Sequence, residues 1–151
     1  MDRKNLYKSI QDSFKQSVIG PANPFTVDNP DVLLYNNHKL LGVYIPLAKE
    51  VDNPDLLLRR LYLSRLALSG SISSVLLLHP DESLALSNYE TVFTSFDRVH
   101  VFENIPDTMN CLADNIRATN MVDKKLKRET MQRFWGSLSY IEKYSHYAIL
   151  R

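Results

Sequence analysis

Apolar and polar residues alternate along the first segment of the chain with a helical period. Four apolar residues are spaced like one face of a helix: Leu6, Ile10, Phe14 and Val18. Gly20-Pro21 follows and is expected to end the helix, because proline cannot donate the backbone hydrogen bond that a helix requires. The pattern predicts a helix over residues 3–18, with room for a short strand at Phe25–Val27.

Two strand-like segments come next, joined by an Asn-rich link. Residues 31–35 and 39–45 are rich in Leu, Val and Tyr, and asparagine tolerates the positive φ that a tight hairpin needs. We expect the two segments to pair antiparallel, with Val43 and Ile45 facing a helix. Pro46 has no backbone N–H, so the second strand should end there, bulge there or lie at an edge of the sheet.

The middle of the chain has the pattern of an α/β protein. Pro54 is typical of a first helical turn, and the leucine-rich stretch over residues 56–68 predicts a largely buried helix. Residues 74–79 and 98–102 read as strands, with a helix over about 82–96 between them. A strand, a helix and a strand in this order predict a parallel, right-handed crossover.

The last third of the chain, residues 108–150, predicts two helical segments that meet near Thr119-Asn120. We therefore expect an α/β fold with a mixed sheet, an antiparallel hairpin, a parallel crossover and a helical C-terminus. Residues 1–151 read as one domain, with a core over 1–105 and C-terminal helices over 106–151 packed on it.

Composition narrows the class of protein. The chain has 151 residues, 44% hydrophobic and 23% charged, with a net charge of +1, which is typical of a globular domain. The single cysteine, Cys111, cannot form an internal disulfide, and the sequence has neither a signal peptide nor an apolar run long enough to cross a membrane. These features predict a cytoplasmic protein without a membrane partner. Cys111 is expected to be a small buried residue, although its place near a helix start would allow a lowered thiol pKa.

The hairpin region carries the most specific local signal. Pro30-Asp31 opens the first strand, a turn follows, and the chain returns through Leu40-Leu41-Gly42-Val43. With the order of elements, this stretch resembles the PD-(D/E)XK nuclease superfamily, and it is especially similar to the nuclease domains of type I restriction motor subunits. The resemblance implies a restriction-endonuclease-like core, two carboxylates that hold Mg²⁺, and a lysine that positions or activates the attacking water.

The motif is degenerate in this chain. Asp31 matches the first acid, but Tyr44 stands where the second acid is expected and Pro46 stands where the lysine is expected. A phenol is a poor ligand for Mg²⁺ near neutral pH, and proline offers no functional group. We therefore expect the catalytic site to be largely lost.

A replacement set of residues follows the second strand. Asp31 with Glu50 or Asp52 could hold Mg²⁺, and Lys49 could position the water. The competing interpretation assigns Asp52 and Asp55 to helix starts, where acidic residues interact favourably with the helix dipole.

Three functions stay open on the sequence alone. The leading one is a nuclease-like domain without catalytic residues or cofactor, which acts in DNA processing or defence by binding DNA or by assembling with a second copy or a protein partner. Its nucleic-acid contacts would come from a basic cluster in the last helical segment, namely Lys124, Lys125, Lys127 and Arg128.

The first alternative is an active, Mg²⁺-dependent DNA endonuclease that uses Asp31, Glu50 and Lys49. The second alternative is a doubly wound α/β protein-interaction module whose site lies at the strand ends near His79 and Asp81. Residues of that kind more often begin the next helix than form a site. An antiparallel hairpin over residues 31–45 would argue against the second alternative.

Overall fold

The computed structural model of the protein describes residues 3–14, 18–21, 30–36, 39–67 and 72–118. The helices within these ranges are α1 (Arg3–Ser13), α2 (Ala48–Asp52), α3 (Pro54–Ala67), α4 (Pro80–Ala85), α5 (Glu90–Ser95) and α6 (Ile105–Ala118). The strands are β1 (Val18–Pro21), β2 (Val32–Asn36), β3 (Lys39–Tyr44), β4 (Ser73–Leu78) and β5 (Arg98–Val101).

The five strands form one mixed sheet in the order β1-β2-β3-β4-β5. β2 pairs antiparallel with β1 and with β3, and Val32 lies opposite Val43 in the hairpin. β3 and β4 are parallel, as are β4 and β5. The predicted hairpin and parallel crossover are confirmed. The expected mixed sheet is confirmed, and the antiparallel hairpin argues against the doubly wound alternative.

Alternate residues of β3 face opposite sides of the sheet and join two separate cores. Val43 and Ile45 pack in a cluster with Leu6 and Ile10 of α1 and with Leu112 and Ile116 of α6. Tyr44 packs on the other side, with Leu57 and Leu61 of α3 and with Leu76 and Leu78 of β4. The prediction that Val43 and Ile45 face a helix is confirmed, and the motif position at Tyr44 faces α3.

The first helix is shorter than predicted. α1 ends at Ser13, and Val18 belongs to β1, where it lies opposite Leu34 of β2. β-branched residues suit a paired strand, and the hairpin edge supplies a partner that helical periodicity cannot reveal. The strand considered at Phe25–Val27 lies outside the described residues.

The predicted helix over residues 82–96 is also wrong in its extent. Two short helices, α4 and α5, are separated by a turn at Leu86–Asn88, where Leu86 is fully buried. The polar pair Ser87-Asn88 favours a turn over a continuous helix. Of the C-terminal helices, α6 begins at Ile105, and the predicted segment beyond Ala118, with the basic cluster, lies outside the described residues. No helix in the described part of the chain has the length and apolar character needed to span a membrane.

Candidate functional site

Asp31 lies directly before β2 and extends the hairpin by one step. Its backbone N–H donates to the carbonyl of Val43 at 2.9 Å, and its Oδ2 accepts the N–H of Ile45 at 2.6 Å. The Asp31 carboxylate therefore holds the end of β3 where the chain leaves the sheet. This end carries the residues that correspond to the nuclease motif.

Glu50 belongs to α2, the short helix that follows β3. Its Oε1 accepts the backbone N–H of Leu47 at 2.8 Å, which satisfies a free donor at the start of that helix. The residue is only 3% exposed. A carboxylate buried to this degree needs a cationic partner.

Arg60 of α3 is the partner of both acids. Its Nη1 donates to Asp31 Oδ2 at 2.8 Å, and its Nε and Nη2 donate to the two oxygens of Glu50 at 2.9 and 3.1 Å. Nη2 also lies 3.3 Å from the carbonyl oxygen of Ile45. We call Asp31, Glu50 and Arg60 the Arg60 cluster. It joins the start of β2, the end of β3, α2 and α3 through one guanidinium.

The electrostatics of the Arg60 cluster fix its charges. The side chains of Arg60 and Glu50 are 9% and 4% exposed, and that of Asp31 is 14% exposed. Burial by itself would lower the pKa of Arg60, but the two carboxylates outweigh it and raise the pKa. The guanidinium is therefore permanently charged and sits as a fixed cation between two acids.

Tyr44 covers the same cluster from the sheet. The guanidinium carbon of Arg60 lies 5.4 Å from the centroid of the Tyr44 ring, and the phenol is hydrogen-bonded to Ser64 of α3. Burial raises the pKa of Tyr44 to about 12, against the opposing effects of the Ser64 hydrogen bond and Arg60. The residue at the second acid position is thus a neutral phenol within a packed core.

Gly42 allows this face of β3 to be filled. A Cβ at Gly42 would lie 3.3 Å from Cε1 of Tyr44 and 3.4 Å from Cβ of Pro30, which is tighter than ordinary van der Waals contact. The absence of a side chain lets Tyr44 and Pro30 close over the strand. The sheet surface that a nuclease would use for its site is occupied by a ring and a proline.

The structure brings together Asp31 and Glu50 of the replacement set, but neither Asp52 nor Lys49. Asp31 and Glu50 converge on the guanidinium of Arg60, whereas Lys49 is exposed on α2. Asp52 and Asp55 are exposed as well. Asp55 lies in the first turn of α3, as the helix-start interpretation expects, but that interpretation is wrong for Asp52, which is the last residue of α2. The acids Asp31 and Glu50 and the exposed Lys49 therefore do not form a single site.

The residues at this position do not fit the Mg²⁺ that the nuclease resemblance implies. Arg60 binds Asp31 Oδ2 and both oxygens of Glu50, and a metal ion would have to displace its guanidinium. Tyr44 and Pro46 add no anionic oxygen. In the described ranges, no group of three or more His, Cys, Asp or Glu residues is arranged to hold a metal ion.

The residues at the end of β4 serve the start of a helix. Glu82 Oε1 accepts the backbone N–H of His79 at 2.8 Å, and Pro80 is the first residue of α4. The imidazole of His79 packs edge-on against Phe102 with ring centroids 5.3 Å apart. These contacts support the interpretation of His79 and Glu82 as a helix cap.

Cys111 lies in the middle of α6 rather than near a helix start as predicted, and its pKa is not lowered. Burial raises the pKa of its thiol, against opposing effects that include Arg98 and Asn115. The Nδ2 of Asn115 lies 3.3 Å from its sulfur. The thiol is therefore held in its neutral form rather than activated as a nucleophile.

Arg60 was not identified from the sequence, although a signal for it exists. Leu57, Arg60, Leu61 and Ser64 have the i, i+3, i+4, i+7 spacing of the buried face of α3. A permanently charged residue on a buried face predicts acidic partners in neighbouring elements. Arg60 lies within the leucine-rich stretch that predicts a buried helix, and this pattern by itself indicates packing and not a charged site.

Comparisons of the chain with protein-family models, with curated proteins and with solved structures find no match. The nuclease resemblance therefore rests on the residues around Pro30-Asp31 and on the order of the elements.

Proposed function

We propose that this chain is a nuclease-like domain of the restriction-endonuclease-like type whose metal site has been replaced by an arginine. The domain acts without catalysis, as a nucleic-acid-binding or assembly module in DNA processing or defence. The observation that carries this proposal is the guanidinium of Arg60, which binds both candidate metal ligands at 2.8 to 3.1 Å.

The topology supports the fold part of the proposal. A helix precedes three antiparallel strands, and α3 then leads into β4, which is parallel to β3. Asp31 opens β2 and points to the end of β3, where the resemblance expects the first acid to meet the rest of the motif. Fold alone carries no function, so the chemistry of the Arg60 cluster has to decide it.

The chemistry of the Arg60 cluster favours a domain without catalysis. A nuclease of this type needs an exchangeable divalent cation that binds water and phosphate. Arg60 supplies a positive charge at the acids but has no open coordination position and cannot lower the pKa of a bound water as a metal does. Its guanidinium is hydrogen-bonded to both acids and holds α3 against β2 and β3.

The C-terminal part of the sequence supports nucleic acid as a partner. Residues 119–151 contain seven Lys and Arg against three Asp and Glu, and four of these bases fall within Lys124–Arg128. Clustered basic residues bind phosphates and release counterions, which gives binding that weakens with salt. The proposal assigns the phosphate contacts to Lys124, Lys125, Lys127 and Arg128.

A cleavage assay tests the loss of catalysis. The full chain is incubated with supercoiled and linear DNA and with RNA, in Mg²⁺ or Mn²⁺, beside the Asp31→Ala and Glu50→Ala variants. We expect the same absence of cleavage in all three proteins. Metal-dependent cleavage that the wild type performs and Asp31→Ala lacks would contradict the proposal and support the active endonuclease instead.

A binding assay tests the proposed partner. Fluorescence anisotropy with labelled DNA and RNA is measured over a salt series, for the wild type and for a variant with Lys124, Lys125, Lys127 and Arg128 changed to Ala. The salt slope should fall by about 0.9 for each phosphate of duplex DNA that the variant no longer neutralises. The control is the double variant Lys49→Ala/Arg59→Ala, which removes two exposed positive charges from α2 and α3. Its salt slope should equal that of the wild type. A chain that neither binds nucleic acid nor self-associates would contradict the proposed module.

A further inference from the structure

β5 forms one edge of the sheet in the described part of the chain. Among the described residues it follows β4 in the strand order and pairs with that strand alone. The strand consists of Arg98, Val99, His100 and Val101, and Val101 is 38% exposed. An edge strand of this kind presents unpaired backbone N–H and C=O groups, which are a template for another strand.

The backbone groups that point outward can be assigned from one hydrogen bond. The N–H of Phe102 donates to the carbonyl of Leu78 in β4 at 3.0 Å. Backbone groups alternate sides along a strand, so those of His100 and Arg98 point to β4 as well. The N–H and C=O groups of Val99 and Val101 therefore point away from the sheet.

The outward groups are self-complementary around His100. An antiparallel pair needs two residues that exchange both hydrogen bonds. When β5 meets the β5 of a second copy, Val99 can pair with Val101 of that copy and Val101 with its Val99. This register, centred on His100, uses all four outward groups of Val99 and Val101 within the strand.

Other antiparallel registers use the edge less well. A centre at Val99 would require Asp97, whose N–H is directed at Ser74 Oγ at 3.4 Å and whose Oδ2 accepts the N–H of Ser74 at 2.7 Å. A centre at Val101 would require Glu103, which lies beyond the strand in a bend. Two copies of β5 can therefore use all four outward groups in one register, the register centred on His100.

His100 lies at the centre of this register. Its Nε2 is buried and is the one buried side-chain nitrogen or oxygen in the described ranges that lacks a hydrogen-bond partner. Burial and Arg98 lower the pKa of His100, against the opposing effect of Asp107 of α6, so the imidazole is neutral at neutral pH. A neutral imidazole can stand next to its own copy without charge repulsion, and the proposed register places the two rings opposite each other.

We propose that two copies of this chain associate through β5 to form one continuous ten-stranded sheet, with Val99 paired to Val101 and His100 facing His100 across a two-fold axis. This dimer goes beyond the proposed function and does not depend on the loss of the metal site. A specific interface buries at least about 1,000 Å² in total. The helix α6 packs against β5 and would lie beside the paired strands of the dimer.

The oligomeric state of the full chain tests the proposal, with proline as the sharpest probe. Light scattering coupled to size exclusion, over about a hundredfold range of concentration, should give the mass of a dimer that dissociates on dilution. Val101→Pro removes an outward N–H and leaves the bonds to β4 intact, since proline is tolerated at the open side of an edge strand. It should be monomeric with native circular dichroism, whereas the control Val101→Thr should remain a dimer.

Val101→Lys should also be monomeric, because a charge at a strand edge opposes pairing, and this variant leaves the backbone unchanged.

Cross-linking tests the register of the two strands. In a Cys111→Ser background, His100→Cys places two thiols in a non-hydrogen-bonded pair with Cα atoms about 4.5 Å apart, within the range of a disulfide. Oxidation should link His100→Cys dimers, whereas Val99→Cys in the same background should not link, because its opposite residue is Val101.

Three results would overturn the inference: a monomer at every concentration, a dimer that persists in Val101→Pro and Val101→Lys, or cross-linking of Val99→Cys as efficient as that of His100→Cys. A monomer that still binds nucleic acid would overturn the dimer alone. A dimer that also cleaves DNA would overturn the proposed loss of catalysis alone.

Discussion

Two arginines of α3 connect this helix to the sheet in different ways. Arg60 binds two buried carboxylates, Asp31 and Glu50. Arg65 lies little more than one turn later and donates from Nη2 to two neutral oxygens, the carbonyl of Ser95 at 2.5 Å and the hydroxyl of Ser74 at 3.3 Å. Both arginines therefore link α3 to neighbouring elements, Arg60 through carboxylates and Arg65 through neutral oxygens.

The surroundings of Arg65 also contain an acid, Asp97, but this acid is hydrogen-bonded to Ser74. Asp97 Oδ2 accepts the N–H of Ser74 at 2.7 Å and its hydroxyl at 3.0 Å. We call Arg65, Ser74 and Asp97 the Arg65 cluster. It ties α3, β4 and the loop before β5 together with charge-assisted hydrogen bonds between charged and neutral groups.

The comparison shows that a helix can be fixed to this sheet without two buried acids. Burying an ion cluster costs desolvation that its mutual attraction barely repays, and well-packed apolar residues often do as well. Stability alone therefore does not explain why Asp31 and Glu50 face one guanidinium. Asp31 also accepts the N–H of Ile45, and in the proposed function it corresponds to the first acid of the nuclease motif.

The largest effect should come from the removal of Arg60. Arg60→Ala leaves two buried carboxylates without their cation, so the free energy of unfolding should fall by about 3 to 5 kcal/mol. Urea denaturation followed by circular dichroism measures this change. The control is Arg59→Ala, the exposed neighbour on the same helix, which should change stability by less than about 0.5 kcal/mol. A loss below about 1 kcal/mol in Arg60→Ala would mean that water reaches the acids and that the cluster is not a closed structural unit.

The same variant sharpens the comparison through added metal. In Arg60→Ala, the two carboxylates and the Ile45 carbonyl surround the place that the guanidinium occupied, and all are oxygen ligands that suit hard cations. Added Mn²⁺ or Ca²⁺ should therefore raise the free energy of unfolding of this variant in a concentration-dependent way. The cation should not stabilise the wild type or an Arg60→Ala variant that also carries Asp31→Asn and Glu50→Gln. Equal stabilisation of all three proteins would show that the metal binds elsewhere.

A smaller effect is expected at the Arg65 cluster. Asp97→Ala removes the acceptor for the N–H and hydroxyl of Ser74, and Arg65→Ala removes a donor to two neutral oxygens; each should cost about 1 to 3 kcal/mol. Added Mn²⁺ should stabilise neither variant, because this cluster holds a single acid. If Arg65→Ala destabilised the chain as much as Arg60→Ala, the contrast between an arginine that binds two buried carboxylates and one that binds neutral oxygens would disappear.

The sequence predicted the elements around both clusters better than it predicted the clusters. The hairpin, α3, β4 and β5 follow from local hydrophobic pattern and turn residues, and those signals lie within each segment. The start of β1 did not follow, because Val18 continues the helical period of α1 and only pairing with Leu34 makes it a strand. Arg60 was missed for a related reason. Its role depends on Asp31 and Glu50, which are 29 and 10 residues away in sequence.

The smallest effect concerns Tyr44, which lies over Arg60 and at the motif position for the second acid. The hydroxyl of Ser64 donates to the carbonyl of Leu61, so the phenol of Tyr44 donates to Ser64. Tyr44→Phe removes that hydrogen bond and should cost about 1 kcal/mol near neutral pH, since Ser64 keeps its own partner.

The pH dependence of this variant identifies the phenol. The pKa of Tyr44 is raised from 10.0 to about 12, so below pH 10 both the folded and the unfolded chain keep the proton and the full stability is present. Between pH 10 and 12 the unfolded chain loses the proton first, so stability falls as the pH rises, by about 1.4 kcal/mol at pH 11. Tyr44→Phe lacks this contribution. The wild type should therefore lose its advantage of about 1 kcal/mol between pH 9 and pH 11, and Tyr44→Phe should become the more stable protein at pH 11. A constant difference would mean that the phenol ionises as readily in the folded chain as in the unfolded one.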